Sequence, residues 1–265
     1  MAEVTPAPAA TVTLVRDASR GLEVLMLQRN HSMKFMPGVY VCPGGGLDAA
    51  DGAPGMGELC VGLEDAAASR TLGVQSGGLA YWVAAIREAF EEANILLAYD
   101  AAGRIVDMSG GAAERYKAHR HTLDGRGKHG EFGKILRAEK LRLATDKLLY
   151  FGHWITPVAV PRRYDTRFFL AAAPEWQEAR HDENETIAHM WIRPQEALDQ
   201  REKLGLRFPT IKTLERFASS DTTASLIADV AATPVVRPLL PRILADGRTV
   251  LPGESGYETG MRAEG

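Results

Sequence analysis

The sequence predicts a mixed α/β domain. Three observations carry that prediction: β-type apolar runs recur along the chain, helical segments interleave with them, and the clearest helix, Leu79 to Ala93, is apolar around most of its circumference. The 265 residues suit one large domain or two small ones. With 45% hydrophobic and 25% charged residues, the composition is that of an ordinary globular chain with a substantial core.

Taken in order, residues 1–9 read as a flexible Ala/Pro-rich lead. Thr11 to Val15 and Leu22 to Gln28 are apolar runs separated by Asp17-Ala18-Ser19-Arg20-Gly21, so they predict a hairpin. Val39 to Cys42 predicts a short strand that breaks at Pro43-Gly44-Gly45-Gly46. Residues 52–76 are rich in Gly, Ala and Ser with little periodicity, and read as a long insertion. In the helix from Leu79, Tyr81, Trp82, Ala85, Ile86, Ala89, Phe90 and Ala93 supply the apolar cover. Residues 111–145 read as helical, basic and polar, broken around Asp124-Gly125-Arg126-Gly127. Strands return at Leu148 to Ile155, Arg167 to Ala172 and Ile187 to Ile192. Helices follow from Pro194 and from Pro209 to Ala218, and Asp246-Gly247 centres a last hairpin.

Charge and cysteine content exclude several classes. Lys and Arg number 31 against 34 Asp and Glu, a net charge of -3, which argues against a nucleic-acid binder. No stretch approaches the roughly 18 apolar residues of a membrane span, and the N-terminus has no secretory pattern. The C-terminus carries no retention or peroxisomal address. Cys42 and Cys60 are too few for a disulfide framework or a four-thiolate metal site, so a reducing, cytoplasmic setting is expected. Cys42 reads as packing rather than nucleophile. The seven histidines lack zinc spacing.

The stretch Arg87-Glu88-Ala89-Phe90-Glu91-Glu92-Ala93-Asn94-Ile95 carries the chemistry. On a helix, Glu88, Glu91 and Glu92 stand at i, i+3 and i+4 and project from one side. Three like charges repel unless a hard divalent cation joins them, and oxygen donors suit Mg²⁺ or Mn²⁺. Arg87, four residues before Glu91, is placed to pair with it. Upstream, Gly44 and Gly45 follow a strand, where glycine lets backbone amides approach an anion.

Together these residues resemble the Nudix box, Gly-x5-Glu-x7-Arg-Glu-U-x-Glu-Glu-x-Gly-U, where U is bulky and aliphatic. Gly45 matches its first glycine, Asp51 stands where the family usually has Glu, and Arg87, Glu88, Glu91 and Glu92 match its catalytic half. Residues 52–86 make 35 positions where seven are expected, so a 28-residue insertion splits the box. Asn94 replaces the second glycine at a helix end where a left-handed residue is needed, and Asn tolerates that conformation. The split resembles the Nudix branch that contains the mammalian peroxisomal coenzyme A diphosphatase. Segments 154–157, 161–169, 183–186 and 191–198 are similar to that branch too.

The resemblance implies an α/β/α sandwich with a mixed central sheet over residues 10–220. Residues 52–86 form the insertion and the start of the catalytic helix, 100–147 a helical insertion, and 221–265 a C-terminal extension. It implies a metal-dependent hydrolase of a small-molecule diphosphate, with coenzyme A or acyl-CoA as the substrate class. ADP-ribose or another nucleoside diphosphate derivative is the alternative within enzymes, and an inactive nucleotide-binding module the alternative outside them. Glu88, Glu91 and Glu92 would hold Mg²⁺ or Mn²⁺, with Arg87 completing the catalytic set. Gly44, Gly45, Arg29, Arg162, Arg163 and Arg167 would contact substrate, since arginine forks match phosphate oxygens. Glu183 or Glu185 would add a further acid. A homodimer is left open.

Overall fold

The structure, a computed structural model, describes residues 4–123, 130–233 and 235–259. Its centre is a mixed sheet built around β1 (Ala7–Ala18). β1 turns at Ser19-Arg20 into β2 (Gly21–Arg29), to which β3 (Tyr40–Val41) adds antiparallel. β4 (Gly44–Gly46) pairs with the first half of β1, opposite Ala9 to Thr11. After α1 (Asp65–Leu72) and α2 (Leu79–Ala93), the short strands β5 (Ala98–Tyr99) and β6 (Arg142–Leu143) bracket α3 (Ala113–Leu123) and α4 (Glu131–Ala138). β7 (Leu149–Ile155) then pairs antiparallel with β8 (Tyr164–Ala172), and β8 runs parallel to β1 over nine positions. β9 (Thr186–Ile192) lies antiparallel on β2. Three helices follow: α5 (Pro194–Asp199), α6 (Phe208–Phe217) and α7 (Thr223–Ala231). The chain continues as β10 (Pro238–Leu239), parallel to β7, then β11 (Arg242–Ile243) and β12 (Thr249–Val250), the hairpin centred on Asp246-Gly247.

β1 and β2 read as continuous apolar runs because both faces of the sheet are covered. Val12, Leu14, Leu25 and Leu27 face one core with α2; Val15, Val24 and Met26 face the other with Leu214 and Phe217 of α6. The two cores sandwich the sheet between helical layers, as the Nudix resemblance implies. α2 is buried on nearly all sides, from Leu79 through Ile86 without a break. It ends at Asn94, left-handed with φ 59°, where the Asn94 amide donates to the Phe90 carbonyl and the Ile95 amide to the Ala89 carbonyl.

Four expectations change. The lead is strand from Ala7, because Ala7 to Ala9 pair with Tyr164 to Thr166 and the Pro8 carbonyl accepts the Leu47 N–H; residues 1–3 lie outside the described residues. Segment 52–76 contains α1, whose Ala68 and Leu72, one turn apart, are buried against α2. Segment 111–145 is helical only to Ala138, then turns into β6; Asp124 to Gly127 fall outside the described residues. Segment 221–239 does not trail away, because Leu226 and Val230 of α7 fill the second core and β10 extends the sheet edge.

The insertion also caps the helix it precedes. α2 has no capping side chain of its own, and Asp65 of α1 accepts the Gly77 and Leu79 amides at 3.0 Å each. Those bonds hold the Asp65 carboxyl below its usual range. Asp65→Ala should lower unfolding free energy by about 1–2 kcal/mol, the usual worth of a cap, as read from urea denaturation. An unchanged midpoint would mean that packing alone holds the start of α2.

Candidate active site

α2 sets the three carboxylates. Glu88 and Glu92 are buried at 9% and 5% exposure, and the Glu91 side chain keeps 23% in solvent. They are packed against β4, where side chains would not fit. The Gly44 amide donates to Glu92 Oε2 at 3.0 Å, and a Cβ on Gly45 would lie 2.5 Å from Glu88 Oε1. Glu88 demands glycine at 45 and β1 demands it at 44, where a Cβ would lie 2.5 Å from Thr11 Oγ1.

Arg87 joins the two halves of the split motif. Its Nε and Nη2 donate to the two oxygens of Asp51, each at 2.9 Å. Nη2 also donates to the Gly46 carbonyl at 3.0 Å, and Nη1 to Glu88 Oε1 at 2.6 Å. The expected partner, Glu91, is reached only at 3.5 Å. Asp51 itself is buried and accepts the Asp48 amide at 2.8 Å, closing a capping box around a 3-10 turn. A planar fork with two matched acceptors is the geometry that makes an Arg–carboxylate pair strong.

This one arginine does not neutralise the cluster. Burial, then the Glu88 charge, pushes the Glu91 carboxyl up to about 8. Burial, then Glu88, raises Glu92 well above the carboxylate range, and burial raises Glu88. For Arg87, burial opposes the charge, but the Asp51 bond and the charges of Glu88, Asp51 and Glu91 outweigh it and keep it charged. Burying three carboxylates together is costly without a further cation. All-oxygen donors at i, i+3 and i+4 are the chemistry that Mg²⁺ or Mn²⁺ takes, so the residues fit a divalent ion. Among the described residues no three acidic, His or Cys side chains already converge on one point. Glu88 is turned to Arg87 and Glu92 to Gly44.

The other expected residues divide. Arg29 lies close enough for its charge to act on Glu92, and its Nε donates to the Phe35 carbonyl at 3.2 Å. Glu185 acts by charge on both Glu88 and Glu92, whereas Glu183 lines a separate cavity of about 540 Å³ beside the end of α2, with Asn94, Tyr116, Arg120 and Trp176. Arg163 is 4% exposed and donates to the Thr156 and Val4 carbonyls. Arg167, also 4% exposed, pairs with Asp165 and His153 over the Tyr81 ring. Arg162 is exposed, its guanidinium over Phe35 and Tyr164. The cluster 162–167 is therefore not one basic patch. Cys42 is buried, and burial lifts its thiol to about 11, as packing requires.

Sequence reasoning missed Arg120, which donates to the Glu91 carbonyl at 2.8 Å and the Arg180 carbonyl at 3.0 Å. It ties the last turn of α2 to α3 and the segment before β9. No local signal marks it, since it lies in a polar helix among other charges.

Comparison with known proteins agrees with this arrangement. The family model of the NUDT19 Nudix domain matches residues 2–217. The human acyl-coenzyme A diphosphatase NUDT19 is 30% identical, over 90% of this chain and 73% of that one. The chicken protein of that name is 31% identical over 67% of this chain and 56% of its own length. A Nudix hydrolase from Alicyclobacillus acidocaldarius superposes with a TM-score of 0.71 at 25% identity, covering 89% of this chain and all of that one.

Because the buried carboxylates hold protons more tightly than in the unfolded chain, their effect destabilises the metal-free protein as pH rises from about 4.5 towards 8. A divalent ion competes for the deprotonated form, so the rise in thermal midpoint on adding Mg²⁺ or Mn²⁺ should grow across pH 5 to 9. A midpoint that metal leaves unmoved at every pH would remove the cluster as a cation site.

Proposed function

Because the chain belongs to the Nudix hydrolases, in the family of the NUDT19 Nudix domain, we propose that it hydrolyses the diphosphate of coenzyme A or an acyl-CoA, releasing a phosphopantetheine product and adenosine 3′,5′-bisphosphate. The observation that carries the reading is the reunited box: Asp51 and Gly46 on one side of the insertion, Arg87 and three carboxylates on the other, in direct contact. The names of the human and chicken relatives support the substrate class.

In this reading Glu88, Glu91 and Glu92 hold Mg²⁺ or Mn²⁺, which when bound would neutralise diphosphate oxygens and lower the pKa of a water. The remaining work belongs to the chain. Arg87 bonds Glu88 and the Gly46 carbonyl and so braces β4 against α2, with Gly45 packed too closely on Glu88 to admit a side chain. Glu91, the most exposed of the three, is the one that solvent reaches most easily. Arg29 offers positive charge beside Glu92, and Glu185 is the better placed of the two further acids. Arg162 contacts the substrate; Arg163 and Arg167 serve it by holding the start of β8 in place.

The catalytic unit runs from β1 to α6, with α7 and β10 completing its second core and sheet edge. Among the described residues no helix is long and apolar enough to cross a membrane. Two buried, unpaired cysteines accord with a reducing cytoplasm.

Two measurements test this. A phosphate-release screen with Mg²⁺ or Mn²⁺ should show coenzyme A or acyl-CoA turned over ahead of ADP-ribose and dinucleotides; preference for ADP-ribose would overturn the substrate class, and no turnover the enzyme itself. Glu91→Gln should lose a factor of about 10² or more in kcat with the circular dichroism spectrum intact. Near-normal activity would sink the metal assignment.

A further inference from the structure

We propose that Arg162, held over Phe35 and Tyr164, binds a phosphate monoester that the substrate carries away from its diphosphate, and so makes the enzyme select nucleotides phosphorylated on the ribose. This rests on the coenzyme A reading, in which that group is the 3′-phosphate.

Three arginines in this region invite a phosphate role, and the structure separates them. Arg163 and Arg167 are buried and engaged with protein groups. Arg162 is exposed, and among the described residues no carboxylate pairs with it and no carbonyl accepts from it. Its contacts are two rings, with Cζ 5.6 Å from the Phe35 centroid and 5.4 Å from that of Tyr164. The rings lie 5.7 Å apart and tilt by 58°. Stacking takes the face of a guanidinium and leaves its N–H edge, the part that matches phosphate oxygens. An arginine ordered by rings and free of acids is prepared for an anion, because little side-chain entropy is left to lose on binding.

The cluster is tied to the candidate active site through both rings. Phe35 follows Arg29, whose Nε bonds the Phe35 carbonyl and whose charge acts on Glu92. Tyr164 pairs with Ala7 on β1, two residues before Ala9, which pairs with Gly46. Tyr164 and Gly46 thus lie on strands either side of β1, roughly 12 Å apart, two strand spacings across and two residues along. That is the scale of one nucleotide, so a diphosphate beside the glycine strand leaves its ribose phosphate within reach of Arg162.

The test compares coenzyme A with dephospho-coenzyme A, which lacks only the ribose phosphate, using the full chain with Mg²⁺. The wild type should prefer coenzyme A, and Arg162→Gln should reduce the ratio of the two kcat/KM values by about 10- to 100-fold, the worth of a charge-assisted contact. The change should appear in KM for coenzyme A. Arg162→Lys should restore part of the ratio, since it keeps the charge without the fork. A ratio unchanged in Arg162→Gln overturns the proposal and leaves the diphosphatase reading standing. If the wild type turns over neither compound, that reading fails by itself. Calorimetry then decides the role of Arg162. Adenosine 3′,5′-bisphosphate should bind the wild type at least tenfold more tightly than Arg162→Gln, and equal affinities overturn it.

Discussion

The ion pair between Arg87 and Asp51 is the contact on which the rest of the site depends. A guanidinium largely removed from water is tolerated only when its donors are filled. Arg87 fills them with Asp51, Glu88 and the Gly46 carbonyl. Those three acceptors come from a 3-10 turn, the catalytic helix and the glycine strand, so one side chain fixes the relative position of all three. It also explains why the motif tolerates interruption. The entropy of closing a loop grows only with the logarithm of its length, so a long excursion costs little more than a short one when its ends are held. The excursion here is itself packed, with Met56, Cys60, Ala68 and Leu72 in the first core.

A second constraint is electrostatic. The fold places Glu88 and Glu92 out of water beside a third carboxylate and provides a single arginine at contact distance. That imbalance is a cost that a compact domain would not accumulate for stability alone. Gly45 answers to the same carboxylates and Gly44 to β1, since a side chain at either would occupy space already filled. Their value lies in absent atoms as much as in conformational freedom.

Much of this was legible from the residues. The limits of α2, the left-handed role of Asn94 and the pairing of β1 with β2 follow from periodicity, capping chemistry and apolar runs. These are local signals, and local physics decides them. The partner of Arg87 was not legible. Glu91 is one turn away on the same helix and was the expected choice, yet Asp51, 36 residues upstream, has the better geometry. The capping of α2 by Asp65 and the anchoring by Arg120 were hidden for the same reason, because both act between elements brought together by packing.

The arginines at 162, 163 and 167 show where the division falls. The sequence by itself determined that basic groups cluster around the start of β8, that a carboxylate helix follows a glycine turn, and that strands and helices interleave in one α/β domain. Composition and spacing suffice for those features, since each depends on near neighbours. Only the tertiary structure decided that Arg163 and Arg167 turn inward to carbonyls, Asp165 and His153 while Arg162 stays out over two rings. Burial and partner choice are properties of the assembled sheet, where alternate residues of one strand face opposite sides and meet different neighbours.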